Sequence, residues 1–423
     1  MKNSTKYGYS KTKIGWIPKE WKEIELGKIG TFSKGKGIPK RDLSVTGVPC
    51  IRYGEIYMTS NFVLQNLTSR ISKSKIAETT QIQNNDLLFA GSGETIDEIG
   101  KSIAYTGQED AYAGGDIVIF SSNMDIILAE FLSYYLNTKG RRDLRSLGQG
   151  QSVVHIYAKH LATVRIPLPP LPEQKAIASV LECWDKAIQK YEEKINKKKN
   201  IKKGLMQKLL SGEQRLPGFD GEWHSYRIEE IAQVNQSSLD TKTPKDYEFY
   251  YLDISSVRKG IVDFPHKKIT YSQSPSRARR IIHFSDILMS TVRPNLLGHC
   301  YIDINVRDTV CSTGFAVITC HPNKANPVLI YNHLYSKSLN NVIQNLIAGS
   351  SYPAISSRDV KKLKVYLPPL PEQKAIASIL SSADSEIKTL EKKLTLLRDQ
   401  KKYLLNNLVT GTIRLPEFCK EVG

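Results

Sequence analysis

The string LPPLPEQKAIAS occupies residues 168–179 and returns, letter for letter, at 367–378. The same 199-residue offset runs without a gap to Phe219 and Phe418, with 26 of 52 positions identical, and ends in SGEQRLPGF and TGTIRLPEF. Internal repetition constrains the architecture before any residue is read for secondary structure. The plan is variable unit, shared segment, variable unit, shared segment. Fainter echoes lie outside the shared segments: Trp21 with Trp223, an Asp-led strand at Asp86 and Asp286, and GQGQSVVHI against AGSSYPAI ahead of each repeat. Duplication followed by divergence of the variable parts is the simplest history.

Spacing says what the shared segment is. LPPLP is extended or turning, and its last proline (Pro172, Pro371) suits a first helical turn, where a missing N–H costs nothing. Glu173 and Glu372 then fall where the helix dipole favours a negative charge. Apolar residues follow in steps of four and three: Ile177, Leu181, Trp184, Ile188, Tyr191 and Ile195, and after a break Leu205 and Leu209; in the second copy Ile376, Leu380, Ala383, Ile387, Leu390, Leu394 and Leu397, and after a break Leu404 and Leu408. That is a coiled-coil period. Gly212 and Gly411 close both segments, so each helix runs about 38 residues, or about 57 Å. A helix this long with one narrow apolar stripe needs a partner, and the economical partner is the other copy. The expected arrangement is an antiparallel intramolecular coiled coil, a stiff rod relating two similar halves by a pseudo-two-fold. Lys198, Lys202 and Lys401 interrupt the seam, and they read as register control or fraying near the helix ends in preference to phosphate contact.

Composition decides what such a molecule meets. The 423 residues carry 60 Lys+Arg against 42 Asp+Glu, a formal +18, and the excess is spread through both halves. A long polyanion, nucleic acid, is the natural ligand. A hydrophobic content of 40% excludes wholesale disorder, and no apolar run approaches the ~20 residues of a membrane span. The basic N-terminus has no apolar stretch after it, so a cytoplasmic protein is expected. Six scattered cysteines argue against a disulfide framework. His299, Cys300, Cys311, Cys320 and His321 match no usual zinc spacing and read as buried thiols in a strand-like run, so no metal and no cofactor is expected.

Catalytic signatures are missing as well. There is no GxxxxGK[ST] loop, no Asn/Asp-Pro-Pro-aromatic string of the kind amine methyltransferases carry, no HExxH, and GSGE at 91–94 falls short of GxGxxG. The expectation is a non-enzyme with no catalytic residues. The competing readings are a methyltransferase or nuclease with its own active site in one variable domain, or a coiled-coil adaptor without nucleic acid.

Taken with KIGWIPKEW at 13–21, IRYGEI at 51–56 and RLPGFDGEW at 215–223, the doubled Pro-box and helix make the chain resemble the specificity (S) subunits of type I restriction-modification enzymes over essentially its whole length. The resemblance implies an α+β fold with two mixed α/β target recognition domains joined by two long helices. It divides the chain into a first recognition domain (1–167), Pro-box and first spacer helix (168–212), second recognition domain (213–366), Pro-box and second spacer helix (367–411) and a tail (412–423). It also implies a bipartite, asymmetric double-stranded DNA target, two docked methyltransferase (M) subunits, motor-nuclease (R) subunits in the full complex, and no membrane.

Residue types suited to base edges and phosphates nominate the contacts. In the first half these are Lys34, Lys36, Lys40 and Arg41 of SKGKGIPKR, Arg52 and Tyr53, Ser92 and Thr95 of GSGET, Lys101, and Gln149, Gln151 and Ser152. In the second they are Arg258 and Lys259, Arg277, Arg279 and Arg280 of SRARR, Thr291, Arg293 and Asn295 of STVRPN, and Ser350 with Ser351.

Overall fold

A computed structural model describes residues 6–59, 62–150, 153–347 and 353–419. The chain packs into two units, Met1–Glu192 with Lys392–Gly423, and Glu193–Glu391. No helix among the described residues is long and apolar enough to cross a membrane.

Two buried runs, LLFA after Asp86 and IVIF, set the core of the first unit, because strands buried on both faces lose the polar alternation of surface strands. They lie side by side in a five-stranded sheet ordered Gly30–Lys34, Ile117–Ser122, Asp86–Ala90, Ser102–Tyr105, Val63–Leu64. A second sheet orders Leu43–Ser44, Ser69–Ile71, Val48–Ile51, Ala111–Ala113 and Thr80–Ile82. The second unit repeats the plan with one strand fewer in each sheet: Ala232–Val234, Phe315–Cys320, Ile287–Ser290, Cys300–Tyr301, and Lys268–Thr270, Glu248–Leu252, Thr309–Ser312, Ala278–Ile281. The Asp86 and Asp286 echo is structural. Each follows a left-handed residue, Asn85 (φ 71°) or Ser285 (φ 70°), and accepts the backbone N–H three residues back. Each also accepts a hydroxyl from the neighbouring strand, Ser121 or Thr319, at 2.6 Å. Burial pushes both carboxyls above the usual aspartate range despite these donors.

The long helices span Leu171–Ser211 and Leu370–Leu408, 41 and 39 residues, and every stripe position named above is buried or half-buried. Each unit contains one part of both. In the first, Asp185 pairs with Lys401 and Glu192 with Arg398 (2.5 Å), so numbers rise on one helix as they fall on the other. In the second, Lys198 meets Glu386 (2.8 Å) and Lys202 meets Asp384 (2.5 Å), again antiparallel. The seam lysines therefore hold register. Lys202 and Lys401 occupy the same place in the repeat, and each takes the aspartate of the other copy.

The invariance of the box has a similar cause. Glu173 is buried and accepts two bonds from the Arg414 guanidinium (both 2.8 Å) and one from Trp21 Nε1 (2.8 Å). Glu372, equally buried, accepts two from Arg215 (2.8 and 2.7 Å). The arginine that ends one copy thus clamps the glutamate that opens the other, a reciprocity only an antiparallel pair allows. Gln174 and Gln373 fasten each helix start to its unit: their carbonyls accept from Leu128 and Asn326 N–H (2.9 Å each), and their amides donate to Pro169 and Pro368 carbonyls (2.8 and 2.9 Å). Helix and sheet consequently share one core in each unit. Ile177, Leu181, Leu405 and Leu408 pack with Phe89, Phe120 and Phe131, and Leu209, Ile376 and Leu380 with Ile287, Ile318 and Ile330.

Candidate nucleic-acid interface

In the first unit the sheets bring several of the nominated segments together. Strand Gly30–Lys34 runs into the SKGKGIPKR loop, where Gly35 N–H donates to Ile117 O (2.9 Å) and Lys36 N–H to Ala113 O (3.2 Å). A Cβ at Gly35 would lie 2.0 Å from Gly114 O, so a glycine is needed for this approach. Arg52 passes beside Gly114, and at the start of helix Tyr53–Met58 its backbone N–H donates to the Glu55 carboxylate while its carbonyl accepts Glu55 N–H, both at 2.9 Å. Tyr57 of that helix donates to Ser92 O, joining IRYGEI to GSGET, and burial raises its phenol. Ser92 Oγ bonds His155 Nδ1 (2.9 Å), and Gln149 exchanges backbone bonds with His155 (2.9 and 2.7 Å).

Lys34, Lys36, Lys40, Arg41, Tyr53, Thr95 and Gln149 are exposed. Ser92 is buried in its bond to His155, and Lys101 donates its ammonium to the carbonyls of Tyr57 (3.1 Å) and Thr59. Burial, then the Arg141 charge, holds the Lys101 amine below its ordinary range. These two side chains organise the loops from inside. Gln151 and Ser152 lie outside the described residues.

The second unit assembles a different set. Lys259 (φ 47°) and Gly260 (φ 85°) form the two-residue turn between strands Val257–Arg258 and Ile261–Val262, a conformation matched to hairpin twist. This exposes Arg258 and Lys259. Gly260 N–H donates to His299 O, and a side chain there would strike the Tyr331 hydroxyl. Arg277, Arg293 and Asn295 are exposed too. Backbone bonds from Thr313 N–H to Arg277 O and from Thr291 N–H to Gly314 O, both 2.8 Å, link SRARR to STVRPN. Thr291 is buried, its hydroxyl on Gly314 O, and Arg279 lies 4.8 Å over the Tyr271 ring. Arg280 is turned inward, donating to Asn235 Oδ1 and Phe315 O with Ser357 Oγ at 3.5 Å. Ser350 and Ser351 lie outside the described residues.

Cys300 and Cys311 are buried and Cys320 is half-buried, and burial pushes the Cys300 and Cys320 thiols up to about 12. His299 Nδ1 accepts Ser290 N–H (3.0 Å). Among the described residues no three His, Cys, Asp or Glu side chains could hold a metal ion.

Residue-type reasoning passed over His155, Tyr157 and Lys159. They line a cleft of about 430 Å³ in the first unit together with Lys34, Gly91 and Asp116. The 199-residue offset, carried upstream from the box, would have raised them: it sets Tyr157 against Ser356, an unlike pair between the matched Ile156/Ile355 and Leu161/Val360.

This framework, two units of one plan tied by two long antiparallel helices and presenting basic, glycine-containing loops, defines a doubled recognition protein. The chain belongs to the type I restriction modification DNA specificity domain family, whose model matches residues 18–200 and 220–398. It is 24% identical to the type I restriction enzyme MjaVIII specificity subunit of Methanocaldococcus jannaschii, covering 94% of each chain. It is 23% identical to the EcoKI specificity subunit of Escherichia coli, over 90% of this chain and 85% of that one. The type I restriction-modification S subunit of M. genitalium shares the fold, with TM-score 0.61 at 16% identity over 92% of this chain and 96% of that one.

Proposed function

We propose that this chain is the non-catalytic DNA-recognition and scaffold subunit of a type I restriction-modification enzyme. Its recognition domains, 1–167 and 213–366, each read one half of a bipartite, asymmetric duplex target. The segments 168–212 and 367–411 dock two methyltransferase subunits, and motor-nuclease subunits complete the enzyme. One observation carries this reading: two units share their buried Glu–Arg clamps, their Gln fasteners and their helix seam, and differ in the loops they expose. A frame held constant beneath two unlike surfaces is what two different half-sites require. The exposed members of the nominated set, Lys34, Lys36, Lys40, Arg41, Tyr53, Thr95, Gln149, Arg258, Lys259, Arg277, Arg293 and Asn295, make the phosphate and base contacts. The test is methyl transfer from labelled S-adenosylmethionine to DNA. Product is expected only when the methyltransferase partner is present, at two sequence elements absent from the genome methylation map of cells lacking the gene. Affinity should fall steeply with salt. Product from the pure chain, or equal affinity for all duplexes, overturns the reading.

A further inference from the structure

We infer that the cleft of the first unit receives one unstacked nucleobase of the bound DNA, with Tyr157 as its stacking platform; this rests on the recognition function proposed above. The two units differ here in named residues. Strand register places Ser33 where the second unit has Asn235, and the repeat offset places Ala158 where it has Ser357. In the second unit Arg280 fills the space between Asn235, the Phe315 carbonyl and Ser357. A register shift between Ala278 and Arg280 aims it there, as bulges do. The first unit has no such shift in strand Thr80–Ile82, and the residue at the place of Arg280 is Thr80, whose side chain donates its hydroxyl to Lys34 O (2.9 Å) and is too short to fill the space. The space is therefore open, at a volume within the ~300–1,000 Å³ range of small-ligand sites.

Tyr157 marks what enters. It begins helix Ala158–Leu161 without a side-chain cap bond, whereas Ser356 at the equivalent place caps its helix by accepting Asp359 N–H (3.1 Å). The first unit forgoes that stabilisation and leaves the Tyr157 ring 47% exposed, its plane within 28° of the His155 imidazole. A local rule broken at an exposed aromatic points to function. Flat π-faces with flanking lysines suit a base and its phosphate, and Lys34 and Lys159 supply those charges. Asp116 and His155 add an acceptor and an imidazole suited to a base edge.

The experiment uses the chain assembled with its methyltransferase partner and a duplex bearing the mapped target, with 2-aminopurine stepped through the half read by the first unit. At one position other than the methylated base, binding should change the fluorescence. Tyr157→Ala should abolish that change and weaken binding about tenfold, while Tyr157→Phe retains both. If the wild-type complex distinguishes target from scrambled duplex but no position responds and Tyr157→Ala binds normally, the cleft assignment falls and recognition stands. If it does not distinguish them, both fall. Saturable binding of adenosine monophosphate without DNA, lost in Tyr157→Ala, would assign the cleft to a free nucleotide and overturn the DNA reading.

Discussion

At matching places in the repeat, the first unit keeps a cleft and the second plugs it with Arg280. The same pair of units holds its carboxylate clamps alike, yet even these are unequal in detail. Glu173 takes Trp21 Nε1 as well as Arg414, whereas Trp223 Nε1 is buried without a partner and Arg215 is more exposed than Arg414. Duplicated halves can thus keep a fold while their energetics drift, since a shared backbone tolerates any local set of satisfied donors and acceptors.

The sharpest way to break the comparison is at the clamps. Glu173→Gln removes the charge facing Arg414, which is only 14% exposed, and should destabilise the first unit by about 3 kcal/mol in calorimetry. Glu372→Gln should cost the second unit less, because Arg215 retains water; an equal loss would mean that the greater exposure of Arg215 makes no difference. Acid comes next. Both buried histidines among the described residues, His299 and His333, lie in the second unit, and burial holds each down to about 4 from an ordinary 6.5. Unfolding lets them take protons the folded state refuses, so their stability is fully present above pH 6.5 and is lost as pH falls toward 4. The loss is about 1.4 kcal/mol per histidine per pH unit in that window, and chemical denaturation at pH 7 and 5.5 should show the second unit weakening more than the first. Smallest are the seam lysines. Lys401 pairs with Asp185, which also accepts the Tyr134 hydroxyl, and lies 5.5 Å from the Phe62 ring centre, so Lys401→Met should cost about 1–2 kcal/mol. Lys202→Met loses an aspartate that is half exposed and should cost under 1 kcal/mol.

Much of the frame was legible because it is periodic or repeated. The seven-residue stripe located the helices, Gly212 and Gly411 their ends, and the Asp86/Asp286 echo the matching core strands. The reason for the box was not legible: nothing local to Glu173 says that its partner is Arg414, because that contact closes only when the antiparallel helix returns. The candidate contacts divided along the same line. Lys36, Arg41 and Lys259 are exposed as their glycine-rich surroundings suggest, whereas Lys101, Thr291 and Arg280 face inward for want of any sequence mark of side-chain direction.

By itself the sequence determined two similar halves, two long helices with one apolar stripe each, and a positive surface, since period, repetition and charge are properties of the string. Tertiary structure decided which arginine clamps which glutamate, which lysines hold register, and that one half keeps a cleft the other closes. Those outcomes depend on a strand's register and the direction of a side chain, which are settled only when distant segments pack.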